Sequence, residues 1–478
     1  MACGFQAVSL GGQQQAVAVS DVADDVLDVI GSADWRRAHW GIHVRDAATG
    51  EEVVSHNGER LFVPASNLKV VVAAAAAHLL GPDFRHSTSF FRTGPVVGGV
   101  VEGDVVVVGT GDPNFSGRFD RSMTADLEAF ADSLAARGIT GIAGGVVADV
   151  SHWKDEPLHP DWEYYDLLWW YAAPTGPLGF NDNAIDFTIR PGSVGGPARV
   201  TWEPQGADFF FDNRTRTVPA GGDATWDFGR VPGTDTIFAF GDVPADARSN
   251  TEHFAVLDPG AYFGTMLRQV LEAKGMEVGR DEVKVLRDPL SSALSERERI
   301  FTYWSRPLRD VLGPILLRSQ NWFAEQLLKT LGRELAAEGS WKAGLDEARR
   351  YLRDEVGLDT LSFKLRDASG LSAGNLIAPA ALTQLLAHLH GTQPGQLVWE
   401  SLPVSASPEG SLRARFLDMP GRVRAKTGSI RNVDSISGYL TARSGRVLAF
   451  SVIVNGTPAS SADTSDAIDR VVRILARM

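Results

Sequence analysis

Cysteine, lysine and long apolar runs are all scarce in this sequence. Cys3 is the only cysteine among 478 residues, which excludes an intramolecular disulfide, a CxxC redox pair and a thiolate zinc site. The ten histidines form no HExxH motif. His388 and His390 stand two apart in a predicted helix and so do not share a face. They read as an ordinary surface pair, and neither a metal nor an organic cofactor is expected. The apolar run over residues 70–77 falls far short of the roughly 18 residues a membrane span requires. Positive charge is also short: 46 Lys and Arg against 59 Asp and Glu give a formal net charge of -13. That disfavours a nucleic-acid binder, which normally carries a basic patch or stripe. Residues 1–20 contain no Lys or Arg and show no signal-peptide pattern. They read as a flexible leader, with Cys3 a free cysteine in it rather than an acylated first residue.

What is present is ordinary globular material, 44% hydrophobic and 22% charged, at a length that suggests about three domains. Alternation over residues 40–45 and 51–55, with Asp46 and Gly50 between, predicts a hairpin. A helix follows over residues 70–80, stopped by Gly81-Pro82. Residues 93–296 then change texture, rich in Gly, Val, Asp and Thr. Short β-like pieces stand there at 105–108, 185–189 and 209–211, and helical stretches are few, the clearest at 262–274. Helices return at 308–317, with a break predicted near Gly313-Pro314, and at 322–334 and 341–356. Strands at 435–442 and 447–454 and an amphipathic helix at 463–477 complete the chain. The pattern is an α/β domain split by a long, mostly β insertion.

Three short motifs carry chemistry: Ser66-Asn67-Leu68-Lys69, Ser319-Gln320-Asn321 and Lys426-Thr427-Gly428. A serine hydroxyl is a weak nucleophile and needs a base within hydrogen-bond reach. On a helix, positions i and i+3 share a face, so Ser66 in the first turn meets the Lys69 amine. Burial lowers a lysine pKa, and a second cation, here Lys426, lowers it further, freeing Lys69 to accept a proton. A strand bearing Lys426, Thr427 and Gly428 lets a substrate backbone lie alongside, Gly428 leaving room. The amides of Ser66 and Ser429 then form an oxyanion hole. Ser319 and Asn321 are placed to relay a proton and hold a substrate amide.

With 34 serines and 8 lysines, about 0.6 SxxK matches are expected by chance, and a second one exists. Ser151-His152-Trp153-Lys154 follows a strand-like segment and has no helix to bring its ends together, so it reads as chance. KTG is far rarer, about 0.05 by chance, and the ordered trio in matching contexts is specific. Together the motifs match the set found in penicillin-binding proteins and serine β-lactamases. The 253 residues from Ser66 to Ser319 are too many for a compact β-lactamase. The chain resembles the D-alanyl-D-alanine carboxypeptidase/endopeptidase family, class C low-molecular-mass penicillin-binding proteins (peptidase family S13). Pro64-Ala65 before the first motif, Gly109-Thr110-Gly111-Asp112-Pro113, Phe180-Asn181-Asp182-Asn183, Asp367-Ala368-Ser369-Gly370-Leu371-Ser372, Ser401-Leu402-Pro403-Val404 and Ser437-Gly438-Tyr439 add to that resemblance.

The resemblance implies an α/β (α+β) transpeptidase/β-lactamase-like domain, an antiparallel sheet flanked by helices, over residues 21–88 and 298–478. It implies an inserted mostly β domain over 89–183 and 255–297, and a second one nested in it over 184–254. The implied activity is a serine DD-peptidase acting on peptidoglycan stem peptides or crosslinks through a Ser66 acyl-enzyme, with β-lactams as covalent inhibitors. Catalytic roles fall to Ser66, Lys69, Ser319, Asn321 and Lys426, and substrate contacts to Thr427, Gly428 and Ser429. The substrate implies a periplasmic or extracytoplasmic setting without an integral membrane span. Ala373-Gly374 stand where the family often has an arginine that touches the substrate side chain. The aromatic segment 162–171 reads mainly as packing, with Asp166 the candidate for a cationic substrate group. Glu325 reads as a solvated helix charge. Competing readings are an esterase or β-lactamase on the same scaffold, and a non-catalytic wall-binding protein.

Overall fold

The computed structural model describes residues 19–119, 122–154, 157–206, 209–288 and 297–478; Cys3 and most of the predicted leader lie outside them. At its centre is a five-stranded antiparallel sheet in the order Glu52–His56, His39–Asp46, Val447–Asn455, Val433–Thr441, Val423–Ile430. Its middle strand, Val447–Asn455, reads as a near-continuous apolar run because both faces are covered. Side chains alternate across a strand, and here the alternation sorts two cores. Leu448, Phe450, Val452 and Val454 join the terminal helices Val19–Ile30 and Ser461–Leu475. Ala449 and Ile453 face the other helical layer.

That other layer is built around Lys69–Leu79, whose first nine residues are all buried. The helix has no polar face because other helices surround it, and its five alanines let them come close. One neighbour is Leu308–Leu316, which runs through Pro314 without the predicted break. Proline removes one backbone donor, and burial of Val311, Leu312, Ile315 and Leu316 outweighs that loss.

The insertion leaves along Ser87–Arg92 and returns along Glu298–Trp304, which pair antiparallel. Residues from 298 were expected with the flanking domain, yet this strand forms the edge of the inserted sheet, beside Ser87–Arg92, Val105–Gly109, Val146–Asp149 and Lys284–Leu286. Hydrogen bonding across to Ser87–Arg92 decides the matter, whereas composition around 298 does not. A helix that composition did not reveal, Ala125–Ala135, packs with Pro259–Ala273 to cover this sheet. Deeper in the chain, Ala184 pairs with Ala255, so two small three-stranded sheets leave and return at one place. Phe187 is fully buried among Trp202, Phe209, Phe211, Phe228 and Phe254. The described residues include no helix long and apolar enough to cross a membrane.

Candidate active site

Ser66 sits in a single 3-10 turn, Ala65–Leu68, that runs directly into the helix beginning at Lys69. In a 3-10 turn side chains at i and i+3 eclipse, so the two ends of the SxxK motif are stacked rather than merely on one face. The Lys69 Nζ donates to Ser66 Oγ at 2.7 Å, to Asn321 Oδ1 at 2.7 Å and to the Ser369 carbonyl at 2.8 Å. Burial pushes its pKa down to about 7, against the pull of the Glu325 and Asp367 carboxylates. Ser66 itself is half-buried and opens on a cleft.

The second motif forms a pinned loop. Ser319 has a left-handed backbone, φ 60°, a conformation uncommon for residues other than glycine. Its Oγ accepts from Lys426 Nζ at 2.9 Å. Asn321 opens the helix Asn321–Ala336, its amide nitrogen donating to the Tyr171 carbonyl at 2.7 Å. Lys426 is fully buried, and burial together with the Lys69 charge lowers its pKa well below the usual lysine value. The two buried ammonium groups disfavour each other's protonation, which leaves a neutral amine available near neutral pH.

Glu325 is not a solvated charge. It is fully buried, one turn beyond Asn321, and its carboxyl accepts from Ser369 N at 2.8 Å, Ala368 N at 3.1 Å and Trp341 Nε1 at 2.9 Å. It therefore fixes the residue whose carbonyl accepts from Lys69. Burial raises its pKa to about 7 and the Asp367 charge adds to the rise. Asp367 folds the adjoining turn, accepting from Gly370 N, Ser372 N and Asn375 Nδ2 at 2.9, 2.7 and 2.8 Å.

Val423–Ile430, which carries the third motif, is the edge strand of the central sheet. An edge strand keeps unpaired N–H and C=O groups for an incoming peptide. Gly428 is required by the protein itself: a Cβ there would come within 2.7 Å of Ser66 N and 3.0 Å of Pro64 O. Opposite it, Gly370 has φ 80° and lies so close that a Cβ would meet Ala65 O at 1.8 Å. The Ser66 turn is thus wedged between two glycines. The buried Asn67 amide ties turn to strand, donating to Lys426 O at 2.7 Å and accepting from Ser437 Oγ at 2.8 Å. Thr427 Oγ1 donates to Ser411 Oγ at 2.8 Å, and Ser429 is exposed at the strand end.

These elements enclose a cleft of about 860 Å³ lined by Ser66, Ser319, Asn321, Ser429, Tyr171 and Asp166 among others. Asp166 accepts from Tyr171 Oη at 3.1 Å, and burial raises its pKa. The aromatic segment serves two ends, for Trp162 and Leu168 are buried while Tyr165 and Trp170 line the cleft. Ser151 lies outside the site: its Oγ donates to Asp149 at 2.6 Å, and Lys154 pairs with Glu338. His388 and His390 also part company, one ring near Tyr351 and the other near Trp399 and Tyr439. Sequence inspection misses Glu325, Asn67 and the Ser369 carbonyl. Only the spacing of Glu325, four residues from Asn321 on one helix face, hints at the first.

Residues 22–478 match the model of the D-Ala-D-Ala carboxypeptidase 3 (S13) family. The chain is 33% identical to a D-alanyl-D-alanine carboxypeptidase from Actinomadura sp. (strain R39) over 452 residues, 92% of this chain and 81% of that one. It is 26% identical to a penicillin-sensitive carboxypeptidase A from Dictyostelium discoideum, over 98% of this chain and 93% of that one. Its fold matches the crystal structure of penicillin binding protein 4 (dacB) from Haemophilus influenzae, with a TM-score of 0.81 at 21% identity over 96% and 98% of the two chains.

Proposed function

The chain belongs to the D-Ala-D-Ala carboxypeptidase 3 (S13) family of serine-type hydrolases, and on that premise we propose that Ser66 is its nucleophile in an acyl-enzyme DD-peptidase. The observation that carries this reading is the 2.7 Å hydrogen bond between Lys69 Nζ and Ser66 Oγ. Ser66 Oγ attacks the carbonyl of the penultimate D-Ala as neutral Lys69 takes its proton, and the C–O bond forms. The Ser66 and Ser429 amides hold the oxyanion. As the C–N bond breaks, Ser319 passes a proton to the leaving amine and is resupplied through Lys426, 2.9 Å away. Water then attacks the ester carbonyl, giving one proton back through Ser319 to Lys426, while Lys69 returns its proton to the departing Ser66 Oγ; the new carboxyl group gives its proton to the released amine and leaves as a free peptide carboxylate.

Asn321 orients Lys69 and presents its amide to the substrate backbone, which lies along Lys426, Thr427 and Gly428. Lys426 and Thr427 take the terminal carboxylate of a stem peptide, and Asp166 a cationic group on its side chain. The same chemistry opens D-Ala crosslinks when the leaving amine belongs to a second stem. Substrates of this kind lie outside the cytoplasm. The strained lactam of a penicillin reproduces the scissile amide and acylates Ser66. The test is release of D-Ala from a peptide ending in D-Ala-D-Ala. Release by the native protein and none by Ser66→Ala is expected; equal release by both would overturn the assignment.

A further inference from the structure

The residue between Ser319 and Asn321 is the one member of the motif to which the chemistry above gives no role. Gln320 is nevertheless buried, with 4% of its surface exposed. Its amide oxygen accepts two hydrogen bonds from the Arg118 guanidinium, at 3.0 and 2.8 Å. Arg118 belongs to the inserted region, in the segment after Val105–Gly109, and it is also paired with the buried carboxylate of Asp182. Asp182 in turn sits in three successive residues with left-handed backbone, Asn181, Asp182 and Asn183, at φ 47°, 54° and 53°. Two conformations that cost energy for residues other than glycine, Ser319 and Asp182, are therefore linked through one guanidinium. Such conformations persist only where surrounding contacts over-determine them.

We infer that Arg118 is a positioning residue, a brace from the inserted domain that fixes Ser319 and Asn321 against Lys426 and Lys69. The loop has other anchors: Gln320 N donates to Pro314 O at 3.0 Å, and Asn321 holds Tyr171 O. The first holds the Gln320 backbone and the second the Asn321 side chain, whereas Arg118 reaches across from the insertion to the Gln320 side chain. Arginine suits the task because its planar fork can grip an amide oxygen with two N–H groups and a carboxylate with the others. Without it Ser319 can relax from φ 60°, carrying its hydroxyl away from Lys426. Misplacement of a reacting group by about 1 Å costs on the order of 100-fold in rate.

This inference rests on the Ser66 acyl-enzyme reading, so the experiment first establishes that the native protein is acylated by benzylpenicillin at Ser66; absence of that adduct would refute the functional reading and not the brace. The acylation rate constant and the binding constant are then separated for Arg118→Ala, Arg118→Lys, Gln320→Ala and the double variant Arg118→Ala/Gln320→Ala. Arg216→Ala, which breaks an exposed ion pair with Asp242 in the same insertion, is the control. The brace predicts a 10- to 100-fold loss of acylation rate, of the order set by such misplacement, for Arg118→Ala and for Gln320→Ala. It predicts little change in binding, a double variant no worse than either single one, and partial recovery in Arg118→Lys. If Arg118→Ala fails to fold, the Gln320→Ala rate decides alone. Native acylation rates in both single variants, or losses that simply multiply in the double variant, would overturn it.

Discussion

At the scale of single residues, the site is a buried cluster of ionisable groups. Lys69, Lys426 and Glu325 are all buried, and Asp367 lies beside them. The proposed acylation needs Lys69 without its proton, so its rate should climb as pH rises through about 7, the value burial gives Lys69. Because these groups interact, the midpoint belongs to the cluster rather than to one residue. The Glu325 carboxylate raises the Lys69 pKa; replacing it by Glu325→Gln should therefore move that acid limb to lower pH. A stopped-flow pH profile of penicillin acylation measures the shift, and an unmoved limb would contradict the coupling. Lys69→Ala removes the proposed base and should lower the acylation rate by about 10²- to 10⁴-fold, the usual worth of a general base. Ser66 and Lys69 were legible in the sequence because one turn of helix fixes their spacing, and Ser319 and Lys426 because their motifs follow in order. Glu325 was not, because its burial depends on Trp341 and on the 367–372 turn, which are distant in the chain.

At the scale of elements, the site depends on three segments approaching more closely than side chains ordinarily permit. The 3-10 turn carrying Ser66 is held between the edge strand at Gly428 and the turn at Gly370. A methyl group at 428 must push the strand off the Ser66 amide, so Gly428→Ala should destabilise the protein by about 1–3 kcal/mol, the range for overpacking. It should also slow acylation, since the same movement opens the proposed oxyanion hole. Urea unfolding and acylation kinetics on one sample measure both, and unchanged values for both would show that the contact is dispensable. The sequence pointed to room for a substrate at Gly428; the nearer neighbour is the turn carrying Ser66, a contact between residues some 360 apart that no local pattern reveals. The edge strand Glu298–Trp304 was misplaced for the same reason, since strand pairing is a non-local property.

At the scale of the whole molecule, the hydrophobic residues separate into cores. One, made only of residues between Phe90 and Phe301, lies within the insertion, while the central sheet divides two others. Phe187→Ala empties the aromatic centre of the nested sheets and should cost about 3–5 kcal/mol, read as a lower or split thermal transition. Below that transition, acylation at Ser66 should keep its native rate; a large loss at low temperature would mean that the nested sheets support the catalytic loop directly. The division into an α/β part and a β-rich insertion was legible because composition changes sharply along the chain. The central claim, a serine acyl-enzyme formed at Ser66, is tested most directly by intact mass after brief exposure to benzylpenicillin, followed by peptide mapping. A single adduct of one penicillin mass on the peptide containing Ser66, absent from Ser66→Ala, is the predicted result. No adduct with the lactam left intact would contradict the account and favour a protein that binds the wall without cutting it.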